Sequence, residues 1–464
     1  MPGTLEPRAG ASPESWWHTV RALWPTAVIA ALIILTGYDK GLFGVSARAT
    51  MAIAALWALL LALGLGVWPR ARLPRAAVIV AGLLGAFAVW TFLSIFWAES
   101  AENAFTEFNR VTLYLAIYLI AVCAGTRATL ERWANGLGIG VTAIAVVALV
   151  SRLFPSTFSL QGFVTFLPGA LPRLSFPIGY WNGLAMFIAF AYPLWLGVAT
   201  KARTWWQQAA AVTPFPALAA VIYLTSSRGG VAVAVVGTAV YLATTGKRWA
   251  ALGAFAAAAA GSAAAVAVVL PRHALVDGPV QSHEAAAQGH AAFFLILALC
   301  LATGAFFAGG RLLLRGVTPS PWLGWAVVAL LVVGLLAAVT LSSPGRRFEN
   351  FKQFPGVTGQ PNTSVGSHLL SGSGSGRWQF WTAALHEWES APLVGRGAGS
   401  YQAWWAQHAP FSYFVRNAHS LYFEVLGELG LVGLLLLVGA LAYGGVGATR
   451  NVLRRAGEER VVGA

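Results

Sequence analysis

Twelve apolar runs follow one another along this chain, near 22–38, 50–68, 76–97, 111–126, 136–151, 180–199, 208–224, 229–245, 249–270, 290–309, 322–341 and 419–447. Most are close to the ~20 residues that a helix needs to cross a bilayer. Inside hydrocarbon every backbone N–H and C=O must be paired within the protein, and a helix does this within one segment. The expected fold is therefore all-α: a polytopic bundle of about twelve transmembrane helices in one membrane domain. Charged residues make up only 10% of the chain and hydrophobic residues 58%, too little charge for the surface of a water-soluble domain of this length.

The breaks between runs carry an ordered pattern of charge. With the N-terminus inside, the inner connections hold Arg70, Arg72 and Arg75; Arg127 and Arg132; Lys201 and Arg203; Lys247 and Arg248; Arg311 and Arg315. Arg450, Arg454, Arg455 and Arg460 follow in the last tail, while Asp39, Glu99, Glu102, Glu107, Asp277 and Glu284 fall on the opposite side. The net charge of +14 thus reads as the positive-inside rule obeyed at each inner turn, and no nucleic-acid partner is expected. Both termini are expected in the cytoplasm of a plasma-membrane protein, with residues 1–21 and 448–464 as tails. No A-x-A pattern follows the first run, which reads as an uncleaved anchor. Cys123 and Cys300 lie inside apolar runs and form no CxxC pair.

Three polar segments face the outer side. The first is 152–182, ending in PRLSFPIGYWN; the second is the turn SSRGG at 226–230; the third is the long extracytoplasmic loop 342–418, between spans 22–341 and the last span. Within that loop, Ser364 to Gly376 reads as a flexible Gly/Ser-rich linker. After it, Trp378, Trp381, Leu385 and Trp388 are spaced for one helical face. Pro392 and the glycines at 395, 397 and 399 end that helix, so short helices are expected at the outer leaflet.

Few residues carry chemistry. Arg228 stands between two apolar runs at the outer boundary; its ordinary reading is a snorkelling side chain. Its functional reading is an anion clamp, because a guanidinium offers five donors in a fork suited to phosphate oxygens. His419 opens the last apolar helix beside Arg416. A histidine there is often a cap, but an unperturbed pKa of ~6.5 also lets it take a proton from a hydroxyl near neutrality. Arg377 opens the tryptophan-bearing stretch, and Arg173 and Asn182 flank the start of the sixth helix. Arg346, Arg347 and Arg416 could serve the same electrostatic role. Trp378 and Trp381 could stack on sugar rings, although interfacial anchoring is the commoner role for such residues.

Other chemistries fit poorly. His283, Glu284 and His290 do not match HExxH spacing, and no metal is expected. Glu387 and Glu389 point to different helix faces and need not form a glycosidase pair. No GxxxxGK[ST] motif is present to drive transport with ATP.

RLSFPIGYWNGLA (Arg173 to Ala185), LTSSRGG (Leu224 to Gly230), GRWQFWTAAL with PLVGRGAGSY (Gly376 to Tyr401), and AHSLYFEVLGELGLVG (Ala418 to Gly433) resemble, in this order, the O-antigen ligase and polymerase superfamily of polytopic glycosyltransferases. The resemblance implies a functional set of Arg228, Arg377 and His419. It implies a donor glycan on a polyprenyl (undecaprenyl) pyrophosphate, an acceptor that is a glycan, lipid or protein, and no cofactor, since pyrophosphate is already a good leaving group. Arginines would stabilise the departing charge, and His419 would assist attack with inversion at the anomeric carbon. Membrane lipids surround the site.

A repeat-unit polymerase or a protein O-oligosaccharyltransferase would share this fold. A transporter or flippase of lipid-linked glycan is the rival from another class, but it would place ionisable groups near the bilayer midplane. Here the helix centres are nearly free of charge, and no internal repeat is evident.

Overall fold

The computed structural model describes residues 13–70, 72–158, 172–314, 320–354, 365–412 and 414–454. Its regular elements are helical throughout the described residues. The chain opens with α1 (Pro13–Tyr38), α2 (Val45–Gly64), α3 (Arg75–Leu93), α4 (Ala101–Ala124) and α5 (Arg127–Leu153). Two spans are each divided in the middle: α6 (Trp181–Ala189) with α7 (Ala191–Lys201), and α8 (Trp205–Val212) with α9 (Phe215–Thr225). Then come α10 (Arg228–Thr244), α11 (Arg248–Val269), the short α12 (His273–Asp277), α13 (His283–Leu313) and α14 (Pro321–Leu341). The polar loop carries α15 (Pro344–Lys352), α16 (Val365–Leu370), α17 (Arg377–Ser390) and α18 (Tyr401–His408), and α19 (Leu421–Arg454) closes the chain.

Among the described residues ten helices are long and apolar enough to cross a membrane, and two shorter apolar helices, Leu23–Tyr38 and Arg228–Thr244, fill the other two expected places. The polytopic all-α bundle read from the sequence is the fold observed. Several helices begin earlier than their apolar runs. α4 starts at Ala101, where the Ser100 side chain accepts from Asn103 N; α5 starts at a reciprocal cap between Thr126 and Thr129. Capping satisfies the free N–H groups of a first turn, so these helices extend through polar residues that hydropathy alone assigns to loops. α1 likewise begins at Pro13, inside the expected tail of residues 1–21. Residues 1–12, and Arg315, Arg455 and Arg460 of the inner charge pattern, lie outside the described residues.

The largest core cluster joins α5, α6, α9 and α13, with Ile144, Leu184, Leu218 and Leu224 fully buried. Leu174 and Val365, from two polar segments, are buried in the same cluster. Lipid gives little hydrophobic reward for pairing two helices, so close approach of small residues matters more. A Cβ on Gly230 would lie 2.3 Å from the Ala185 Cβ. The start of α10 is therefore pressed directly against α6, which fixes where Arg228 emerges.

The last helix is not continuous. Gly430 has φ 65° and ψ −167° and breaks α19, a conformation open essentially to glycine alone. The segment after α17 enters this break. Leu431 N donates to Pro392 O (2.9 Å), and Gly397 N donates to Glu428 O (2.7 Å). Trp90 Nε1 from α3 donates to Leu429 O at 3.0 Å. Backbone groups released by the break are thereby paired by the polar loop, as burial requires. The expected single helix over 419–447 is thus two half-helices with a loop docked between them.

Candidate functional site

Three segments meet at one end of the bundle. α9 ends at Ser226 in the left-handed conformation (φ 52°), and the Ser227 side chain caps α10 by accepting from Gly230 N at 3.2 Å. The chain so reverses between two helices with Arg228 as the first residue of α10. The last carbonyls of α9 lack helical partners, and Arg173 supplies them. Its Nε donates to Thr225 O (3.1 Å) and its terminal nitrogen to Ser226 O (2.8 Å). Its guanidinium also lies 4.6 Å from the Trp181 ring. Beneath it, the buried Arg152 donates to Pro172 O (2.6 Å) and Leu275 O (3.0 Å), holding the segment that presents Arg173.

Arg228 reaches the third segment. Its two terminal nitrogens donate to the carbonyls of Ser371 and Ser373, the second at 2.7 Å. Ser226 Oγ donates to Val365 O at 3.0 Å, and Asp277 Oδ1 accepts from Val365 N at 2.7 Å. The Gly/Ser stretch expected as a flexible linker therefore carries the helix α16 and is tied down at both ends of its described part. Glycines and serines leave its backbone carbonyls open to an arginine, which hydropathy does not reveal. Residues 355–364 lie outside the described residues.

Directly after this grip, Gly376 turns with φ 84° and Arg377 begins α17. One turn later the Phe380 ring lies 5.5 Å from the His419 ring, and Tyr401 OH fixes Phe380 O at 3.0 Å. His419 itself has φ 54°. It is exposed yet lies inside a dense shell of loop residues. That shell, and then the Arg377 charge, hold its imidazole below the ordinary pKa, so it is neutral at neutral pH.

The electrostatics link the same groups. Arg173 is pushed down to about 10, first by burial and then by the positive charges of Arg377 and Arg228. Arg228 lies within electrostatic reach of Arg377 and Arg347. His368 on α16 is pushed down to about 4 by burial and by Arg173, Arg228 and Arg377. Among the described residues no carboxylate forms an ion pair with Arg173, Arg228 or Arg377. Three guanidiniums thus gather around one place without a counter-charge, an arrangement that favours an anion. Two of the five donors on Arg173 and on Arg228 are used internally, leaving the rest available.

The remaining sequence candidates divide. Arg347 stands near Arg228 and donates through Nε to Ser342 O (2.9 Å); Arg346 is exposed on the same helix. Asn182 donates to Tyr180 OH at 2.9 Å, one residue beyond the Trp181 that supports Arg173. Trp378 is exposed and meets Phe348 edge-on at 5.7 Å. Trp381 is half-buried, stacked on Phe423 at 5.4 Å and tilted against Phe351 at 5.2 Å. Arg416 is exposed and acts electrostatically on Arg48 of α2. His368 and Arg152 were not singled out from the sequence. Nothing in the pattern around His368 marks it, whereas Arg152 at the end of an apolar run is an intramembrane charge that asks for a partner. No cluster of three or more His, Cys, Asp or Glu suited to a metal occurs among the described residues.

An O-antigen ligase family model matches residues 285–438. The matched stretch runs from α13 through the break in α19 and includes His368, Arg377 and His419, while Arg173 and Arg228 precede it. No curated protein and no solved structure matches the chain. The match supports the resemblance to the O-antigen ligase superfamily. The apolar helices describe a multi-pass membrane protein, and its residues 285–438 are similar to the O-antigen ligase family.

Proposed function

We propose that this O-antigen ligase-like protein transfers a glycan from a polyprenyl-pyrophosphate carrier to a hydroxyl acceptor at the outer face of the plasma membrane. The observation that carries the reading is the gathering of Arg173, Arg228 and Arg377, without a paired carboxylate, next to the neutral imidazole of His419. The pyrophosphate would lie among the guanidiniums, relieving their mutual repulsion. The acceptor oxygen attacks the anomeric carbon from the opposite face and forms the new glycosidic bond. The bond from that carbon to the pyrophosphate oxygen breaks, and its electron pair leaves with the carrier. The acceptor proton passes to His419, which is unprotonated beforehand and so able to receive it.

Electrostatic stabilisation of the leaving charge is the largest contribution expected of such a site; deleting one well-aimed donor costs about 10²–10³-fold in rate. Loss of a general base costs about 10²–10⁴-fold. The outward orientation is supported by the Arg and Lys distribution, which under the positive-inside rule favours cytoplasmic termini. A transporter is disfavoured because the charged groups of the site collect at one end of the bundle rather than at mid-depth.

The test is transfer by purified protein given a lipid-linked glycan and an acceptor, with Arg228→Ala, Arg377→Ala and His419→Ala alongside. A single inverted product lost in all three variants supports the ligase reading. A ladder of lengths means a repeat-unit polymerase using the same chemistry. Full activity in the three variants refutes the site.

A further inference from the structure

We infer that Glu424 is a positioning residue that sets the direction of the His419 imidazole, an inference that rests on the reading of His419 as the proton acceptor. His419 lies in an irregular segment between α18 and α19, with a left-handed backbone (φ 54°), so no helical ladder orients it. Glu424, in the first turn of α19, reaches back over that turn. Its Oε1 accepts from Asn417 Nδ2 at 3.2 Å, and its Oε2 accepts from Ala418 N at 2.9 Å. Glu424 N in turn donates to Ser420 O at 2.9 Å. One residue therefore fixes the chain immediately before His419 through its side chain and immediately after it through its backbone. Glu424 and Ala418 are buried, so the bond to Ala418 N does not compete with water, while the one to Asn417 is half-buried.

The chemistry of the grip selects the residue. A carboxylate offers two oxygens that accept only, matched to two donors that only give. Placed in the first turn of a helix, it is also favoured by the dipole of that helix. Glutamine keeps one accepting oxygen, and its amide can donate to Asn417 Oδ1 once that side chain turns over. Alanine keeps neither contact. Phe380, its ring tilted 5.5 Å from the imidazole, packs beside that ring but cannot fix the backbone. Displacement of a catalytic group by about 1 Å costs as much as 10²-fold in rate, so a clamp of this kind acts on turnover rather than on donor binding.

The experiment measures kcat and the donor KM of the purified full-length protein for Glu424→Ala, Glu424→Gln, Asn417→Ala and His419→Ala. The expected result is a kcat lowered about tenfold or more in Glu424→Ala, a donor KM within about twofold of the parent, and most of kcat restored in Glu424→Gln. A parent-like kcat in Glu424→Ala, with His419→Ala inactive, overturns the positioning role and leaves the His419 reading intact. A Gln variant as impaired as the Ala variant also overturns it, since the carboxylate would then act through its charge. Should Glu424→Ala fail to fold, Asn417→Ala decides: kcat reduced at constant donor KM supports the clamp, and unchanged kcat overturns it. Activity retained in His419→Ala refutes the underlying reading instead.

Discussion

Replacing Glu387 by glutamine should stabilise the folded protein above neutral pH relative to the parent, and this advantage should vanish in acid. Glu387 lies on α17 with 0% of its surface exposed. Its Oε1 accepts from Ser400 Oγ at 2.6 Å, while Oε2 is buried without a hydrogen-bond partner among the described residues. Burial pushes its pKa up to about 7 from the ordinary 4.5; the charges of Glu99 and Glu424 add to this, and Ser400 and Arg396 act against it. The folded-state pKa is raised, so the contribution to stability is complete below 4.5 and is lost as pH rises through about 7. At 1.36 kcal/mol for each pH unit, that interval corresponds to about 3 kcal/mol. Glutamine carries no titrating proton there, so any cost of burying its amide adds the same offset at all pH values. The assay is unfolding in detergent micelles, followed by tryptophan fluorescence from pH 4.5 to 8.5. The difference between variant and parent should grow by about 3 kcal/mol in the variant's favour across that range. A difference that stays constant, or grows toward acid, would refute the assignment of a buried, proton-holding carboxyl.

Further outcomes follow from the same geometry. Arg228→Lys keeps the charge but loses the fork that holds the Ser371 and Ser373 carbonyls, so transfer should fall by about 10²-fold in a product assay with expression unchanged. Because the His419 imidazole is held below its ordinary pKa, activity should decline only as pH falls below ~6.5; a pH–rate profile with its acid limb above that value contradicts the base assignment. Gly430→Ala would put a Cβ 2.3 Å from Leu393 O at a φ of 65°, so membrane-inserted, detergent-extractable protein should drop sharply; normal yield and melting would contradict the break. A cysteine replacing the exposed Arg346, in a chain lacking Cys123 and Cys300, should react with a membrane-impermeant maleimide from outside intact cells. Labelling only after lysis would reverse the proposed orientation.

Much of the bundle was legible because hydrocarbon leaves the backbone few choices: each of the twelve apolar runs is helical, though two are pairs of shorter helices and the last is broken at Gly430. Arg228 and His419 stood out as candidates because a charged or titratable group at an apolar boundary needs a reason to be there, whereas Arg377 became one only through the family resemblance. Other features depend on contacts that no local pattern encodes. Gly430 sits within an unbroken apolar run, and its role emerges only when residues 392–397 supply partners to the broken helix. Arg173 was a marginal candidate until the carbonyls of Thr225 and Ser226 gave its guanidinium an anchor. Trp381 meets Phe423 and Phe351, contacts that come from segments remote in the chain and that no local pattern announces. Stretches rich in glycine and serine read as linkers because their order is imposed from outside, here by Arg228, Ser226 and Asp277.

The interruption at Gly430 also sets the unit in which this scaffold can be exchanged. Since residues 392–397 complete the hydrogen bonding of the last span, that span and the loop before it form a single cassette. A chimaera joined just ahead of Leu421 would pair one homologue's half-helices with another's insert, stranding amides at the bilayer edge. Specificity grafts should therefore carry everything from Gly376 past Val432 as one piece.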